Sequence, residues 1–161
     1  MKRSPMPRRS AKPKKRKPHA CAVRSNTHTG PARSLQGGPS YCAKHAEQRA
    51  DRLFSLWVRD RDGRCTASPV FHTDCDGPLQ AAHIVGRRNQ RVRYSPANVH
   101  AVCRAHHIAI DQHGREGAKY DWAVFVLGET QFTDLRIKAR QTANRLDAAL
   151  SALAWLESEE R

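Results

Sequence analysis

The stretch Leu79–Asp111, LQAAHIVGRRNQRVRYSPANVHAVCRAHHIAID, gathers metal-ligand and cationic residues at ordered spacings. His83 precedes Asn98 by fifteen residues and Asn98 precedes His107 by nine, with Cys103 and His106 just ahead of the last histidine. Leu79 to Ile84 is short, apolar and β-prone. Arg87, Arg88, Arg91 and Arg93 follow in a segment too polar for a core and suited to a loop that meets phosphates. Ser95-Pro96 can open a short helical turn. Beyond Cys103 the residues predict a helix to about Ile110, on which His107 and Asp111, four apart, share a face that could hold one cation. His100 or His113 taken alone reads as a surface or satisfied core histidine.

Upstream of this stretch, DGRCTASPVFHTDCDGP carries a second β-prone piece around Val70 and Phe71, and the two pieces flanking turn residues predict a hairpin. Cys65 and Cys75 have nine residues between them, including His72, whereas Cys103-x2-His106 is a normal zinc half-site. Together these four ligands compose a tetrahedral structural zinc site of Cys3His type, and in a small core such a metal contributes folding free energy directly. Cys21, Cys42 and His45 supply three ligands for a second zinc, with His28 or His19 as a fourth. The same segment, residues 19–42, reads equally as a Gly/Pro/Ser-rich linker.

The 161 residues, 39% of them hydrophobic, allow one modest domain with appendages. Lys and Arg outnumber Asp and Glu 29 to 15, a formal +14 that points to a polyanionic partner. Residues 1–18 hold nine basic residues, four prolines and no acid, so they are expected to be a disordered tail. That tail is either a phosphate-tracking arm or a solubilising extension. No apolar run approaches the roughly 18 residues that span a bilayer, and no apolar segment follows the basic start as in a secretory signal. The expectation is a protein of the reducing cytoplasm, in which five cysteines mixed with nine histidines serve as metal ligands rather than disulfides.

Ala46, Ala50, Leu53, Phe54 and Trp57 recur at helical intervals over 43–60, with Gly63 as the stop and Trp57 in the core. Residues 119–127 read as helix or strand, ended by Gly128. From Thr133, as cap, to Glu159 the pattern predicts one long helix with Leu135, Ala139, Leu146, Ala149, Leu150, Leu153 and Leu156 as its apolar stripe. The stripe can fold back on the first helix or pair with a second subunit, leaving monomer and homodimer both open.

The H…N…H spacing, the strand carrying His83, the arginine loop and NVHAVCRAHH resemble the ββα-metal (HNH) endonucleases over roughly residues 59–114. VRDRDGRC ahead of the hairpin and AHI at the strand add a narrower likeness to the phage NinG-type recombination nucleases. The resemblance implies an α+β fold whose hairpin and helix clasp one catalytic divalent ion, Mg²⁺ or Mn²⁺. It implies His83 as general base, Asn98 as metal ligand or orienter of the His83 loop, and His107 as metal ligand. Many members carry an acidic residue or histidine where this chain has Ala82, and Asp111 is the substitute, a carboxylate one helical turn beyond His107.

Phosphodiester hydrolysis requires a base for water, charge stabilisation at phosphorus and help for the leaving oxygen. Histidine, a metal ion and bidentate arginines supply these. The sequence therefore predicts a zinc-stabilised nuclease domain over 43–161, with a helical extension at 119–159, that hydrolyses DNA in phage or mobile-element recombination or DNA processing. Ala82 supports a reading of another class, a catalytically inactive zinc module that binds nucleic acid through its tail and arginine loop.

Overall fold

The computed structural model describes residues 32–33, 39–112 and 116–159. The expected tail over 1–18, together with Cys21, His19, His28 and His113, lies outside them. The described chain is a mixed α+β arrangement in the order α1 (Ala43–Asp62), α2 (Ser68–Phe71), β1 (Leu79–His83), β2 (Val99–Cys103), α3 (Arg104–Asp111), α4 (Glu116–Ala139) and α5 (Arg145–Glu159).

Helix α1 buries Ala46, Ala50, Phe54 and Val58 at intervals of four and stops at Gly63, whose φ of 61° and amide bond to the Arg59 carbonyl (3.0 Å) close the last turn. Trp57 is half-buried, stacked on Phe54 and covered by the Arg61 guanidinium at 4.8 Å. Strands β1 and β2 pair antiparallel, from Leu79 opposite Cys103 to His83 opposite Val99. Alternation then sends the two strand faces to different helices. Leu79, Ala81, Val99 and Ala101 pack on Phe54 and Val58 of α1. Ala82 and Val102 enter the opposite core with Ile110 of α3 and Trp122 of α4.

The hairpin partner of β1 is thus β2 and not the Val70–Phe71 piece. Pro69 sits in the first turn of α2 and favours helical φ there, and Val70 and Phe71 amides bond back to the Ala67 carbonyl at 3.0 and 3.1 Å. Ser95-Pro96 opens a turn, closed by the Asn98 amide on the Ser95 carbonyl (2.8 Å), that leads straight into β2.

The region expected to be one C-terminal helix is two. Thr133 lies inside α4, which covers 119–127 as helix and is interrupted at Gly128 (φ 74°). Asn144 is the true cap of α5, its Oδ1 accepting from the Leu146 and Asp147 amides at 2.9 and 3.2 Å. The predicted stripe divides accordingly. Leu135 joins the α3–α4 core, while Leu146, Ala149, Leu150 and Leu153 pack on Ala46 and Ala50 of α1. Residues 32–33, within the expected linker, bridge to Tyr41 by paired backbone bonds, and Arg33 reaches Asp147 at 3.0 Å. None of the described helices is long and apolar enough to cross a membrane.

Gly77 turns the chain into β1 with φ 75°, and a Cβ there would lie 2.9 Å from the Arg104 Cβ. Gly77→Ala is therefore expected to cost about 1–3 kcal/mol in denaturant unfolding. Gly86→Ala, where a Cβ meets nothing within 4 Å, should stay near wild type. Equal stability of the two variants would contradict the crowding at Arg104.

Candidate metal centre and histidine cleft

The two ends of the hairpin carry different chemistry. At the Leu79–Cys103 end, Gly63 reverses the chain out of α1 and Thr66 donates both its amide (2.9 Å) and hydroxyl (3.0 Å) to the Ala101 carbonyl. Asp62 Oδ2 accepts the Ala101 amide at 2.6 Å. Its carboxyl is held below the usual range: burial opposes ionisation, but the bonds from Arg61 and Ala101 outweigh it. These contacts deliver Cys65 to the strand end, where its sulfur accepts the Cys103 amide at 3.3 Å. The Ala105 amide bonds the Asp76 carbonyl (3.2 Å) and brings in Cys75.

Cys103 caps α3, its Sγ accepting the His106 amide, and directs His106 inward one turn later. His106 Nδ1 lies 3.3, 3.8 and 3.1 Å from the sulfurs of Cys65, Cys75 and Cys103. All four ligand atoms lie within 4.8 Å of one another. A tetrahedral zinc with bonds of about 2.3 Å to sulfur and about 2.05 Å to nitrogen has a nitrogen–sulfur edge of roughly 3.6 Å, so the set can hold a metal ion such as zinc. With Nδ1 turned to the sulfurs, His106 Nε2–H donates to Thr73 Oγ1 at 2.7 Å and fixes the ring. His72 is exposed beside it, outside the cluster.

The possible second cluster is described only in part. Cys42 Sγ lies 3.3 Å from His45 Nδ1 at the start of α1, while Cys21 falls outside the described residues.

At the other end of the hairpin, His83 Nε2 donates to the Arg93 carbonyl at 3.1 Å. A carbonyl carries no proton, so the bond assigns the tautomer and leaves Nδ1 as the lone-pair nitrogen. Burial, then the charge of Arg87, lowers the His83 pKa from 6.5 to about 4, so the ring is neutral at pH 7. One turn into α3, His107 Nδ1 bonds Gln80 Oε1 at 2.7 Å, and its Nε2 lies 3.4 Å from Asp111 Oδ2. Burial depresses the His107 pKa too, with Arg87 and Lys119 adding to the effect and Asp111 opposing it.

His83, Arg87, Arg88, His107, Asp111 and Lys119 line a cleft of about 450 Å³. A second cleft of about 420 Å³ shares His83, Arg87 and His107 and adds Asp51, Arg52, Arg59 and Gln80.

Asn98 is fully buried behind this cleft. Its amide group donates to the Val85 and Val92 carbonyls, both at 3.0 Å, and accepts the Val85 amide at 2.7 Å. It closes the neck of the arginine loop, pointing away from any ligand role. Ala82 is likewise buried, in the core against α3, so position 82 offers the cleft no ligand.

The four loop arginines separate. Arg87 and Arg88 are exposed on the cleft, whereas Arg91 turns to Gln141 at 3.2 Å. Arg93, expected to meet DNA, is only 8% exposed and pairs with Glu47 at 2.6 Å and with Asp51 at 2.7 Å on α1. His100 is half-buried, donating to the Ala97 carbonyl and lying 3.9 Å from Asp62. Gln80, Thr73, Arg52 and Arg59 carry no motif signal, since their roles come from strand register and helix face alone.

Comparison with protein-family models, curated proteins and solved structures returned no match.

Proposed function

We propose that this chain is a metal-dependent HNH-type endonuclease that hydrolyses DNA phosphodiester bonds, with a structural zinc in the Cys65, Cys75, Cys103, His106 cluster and a role in phage or mobile-element DNA processing. The single observation that carries the reading is His83: a neutral, tautomer-fixed imidazole whose Nδ1 has no hydrogen-bond partner among the described residues, in a cleft shared with His107, Asp111 and Arg87.

His107 and Asp111 fit one divalent cation. With Nδ1 on Gln80, a neutral His107 turns a lone pair toward the Asp111 carboxylate at 3.4 Å. Two acceptors so placed call for a cation between them, and an octahedral ion with bonds of about 2.1 Å has a ligand edge of roughly 3 Å. When bound there, Mg²⁺ or Mn²⁺ would supply positive charge for the phosphorane and the departing 3′ oxygen. His83 Nδ1 takes the proton of the attacking water, while the Arg93 carbonyl holds the ring and stabilises the imidazolium that forms. Arg87 and Arg88 hold non-bridging phosphate oxygens.

Zinc-loaded protein with Mg²⁺ or Mn²⁺ is expected to nick supercoiled DNA, and His83→Ala to lose about 10²–10⁴-fold of that rate. Because the base is neutral above its lowered pKa, the acid limb of kcat/KM should fall near pH 4 rather than 6.5. DNA binding without metal-dependent nicking would instead identify a silent zinc module, and nicking indifferent to His83 would remove the base assignment.

A further inference from the structure

The two clefts share His83, Arg87 and His107 and together make a channel with cations lining both parts. One rim is the loop edge, Arg87 and Arg88, with Lys119 held 3.7 Å from Asp111. The other is built on α1, where Arg52 and Arg59 flank Gln80 and His83. These two arginines are seven residues apart, two helical turns or about 10.5 Å, and lie to the side of the α1 stripe that packs on the hairpin.

The chemistry of the α1 rim differs from that of the neighbouring arginines. Arg61 is consumed by Asp62 and by the Pro96 and Val99 carbonyls, and Arg93 by Glu47 and Asp51. Arg59 donates only its Nε, to the Ser55 carbonyl at 3.1 Å, and Arg52 makes no ion pair among the described residues. The acids on the channel, Asp51 and Asp111, face Arg93 and Lys119 as ion-pair partners. With Lys119 taken by Asp111 and Arg93 by Asp51, the four arginines Arg52, Arg59, Arg87 and Arg88 remain without a carboxylate partner among the described residues, a balance that favours a polyanion along both clefts rather than at one end.

We infer that Arg52 and Arg59 form a second phosphate-binding wall. One DNA strand then runs the length of the channel, its scissile phosphate at His83 and its flanking phosphates held by Arg87 and Arg88 on one side and Arg52 and Arg59 on the other. Phosphates of one B-DNA strand are spaced about 3.4 Å in projection on the duplex axis and further apart along the backbone, so two arginines about 10.5 Å apart along α1 meet different phosphates. The inference rests on the DNA reading of the His83 cleft, and binding rather than cleavage tests it.

The experiment is a salt titration of duplex-oligonucleotide affinity, by fluorescence anisotropy, on full-length zinc-loaded protein without added Mg²⁺ or Mn²⁺. Arg52→Ala/Arg59→Ala is expected to weaken binding about tenfold and to reduce the log–log salt slope by about two, since each phosphate left unneutralised lowers it by roughly 0.9. Arg52→Lys/Arg59→Lys should restore most of the slope, which a purely structural role for the arginines would not. Lys138→Ala/Arg140→Ala, exposed on and after the end of α4, removes the same charge elsewhere and should change affinity less than about twofold. If the Arg52/Arg59 variant matches that control while Arg87→Ala/Arg88→Ala weakens binding, the second wall is refuted and the His83 cleft stands. If both cleft variants match the control, the DNA reading of the cleft fails with it.

Discussion

Cys103→Ser is expected to abolish zinc binding and, with it, the cooperative unfolding transition of the hairpin and α3. Cys103 has three tasks: its sulfur faces His106 Nδ1 at 3.1 Å, caps α3, and sits beside Cys65 through its own amide. The ligands come in pairs from distant parts of the chain, Cys65 and Cys75 before the hairpin, and Cys103 at the end of β2 with His106 in α3. In small zinc-folded peptides the metal supplies an apparent 10–16 kcal/mol or so, comparable to the roughly 5–15 kcal/mol total stability of a domain. The core beside the cluster has nine buried residues, Ala67, Ala82, Ile84, Val92, Val102, Ile110, Trp122, Ala123 and Leu135, five of them alanine or valine, and cannot replace that much. Elemental analysis should find one zinc equivalent fewer in the variant than in wild type. Thermal unfolding by circular dichroism should show the variant without the wild-type transition, and a strong chelator should reproduce the loss in wild type. Undiminished zinc in Cys103→Ser, or an unchanged melt after chelation, would contradict the ligand set.

Arg93→Ala is expected to cost about 3–5 kcal/mol in denaturant unfolding. An exposed loop arginine would cost almost nothing, so burial decides the magnitude. Arg93 forms a fork with Asp51, Nε to Oδ1 at 3.1 Å and Nη2 to Oδ2 at 2.7 Å, while Nη1 meets Glu47. The Glu47 side chain is 8% exposed and keeps only Arg145, itself largely exposed, once Arg93 is gone. A buried carboxylate left with one solvent-facing partner bears most of its desolvation cost. Arg93→Lys should recover little, because an ammonium cannot reproduce the fork. Arg93→Met with Glu47→Gln should recover much more, because it removes the buried charge rather than the packing. A loss below about 1 kcal/mol for Arg93→Ala would place the side chain at the surface. The same anchor holds the carbonyl that bonds His83, so the variant should also slow any His83-dependent nicking beyond what lost stability explains.

The helices were legible wherever a stripe had a single partner. Residues 43–62 and 104–111 fold as their periodicity predicts, and the cysteine and histidine spacing located a cluster that the fold closes. The failures share a cause: local pattern does not name the element that covers it. Val70 and Phe71 looked like half of a hairpin, but Pro69 favours a helical turn and the partner strand comes sixteen residues after β1 ends. Leu135 and Leu146 lie on one notional stripe yet enter different cores, because Asn144 restarts the helix without any glycine or proline to mark the break. Four arginines in one loop are chemically equivalent as letters. Two acids on α1, more than forty residues upstream, turn one of them into an anchor, and no short motif records such a pairing.

The Asn98 staple makes the arginine loop modular. Its bonds to Val85 and Val92, with Ile84 amide on the Asn98 carbonyl at 2.9 Å, fix the loop at its base and leave Gly86 to Arg91 beyond the clasp. Lengthening a loop whose ends are already held costs only about 0.6 kcal/mol per doubling. The tip can therefore gain, lose or exchange residues while His83, one strand position below the clasp, keeps its place. Residues at the tip can change in such an architecture while the backbone at His83 stays fixed, Arg87 excepted, whose charge helps to lower the His83 pKa.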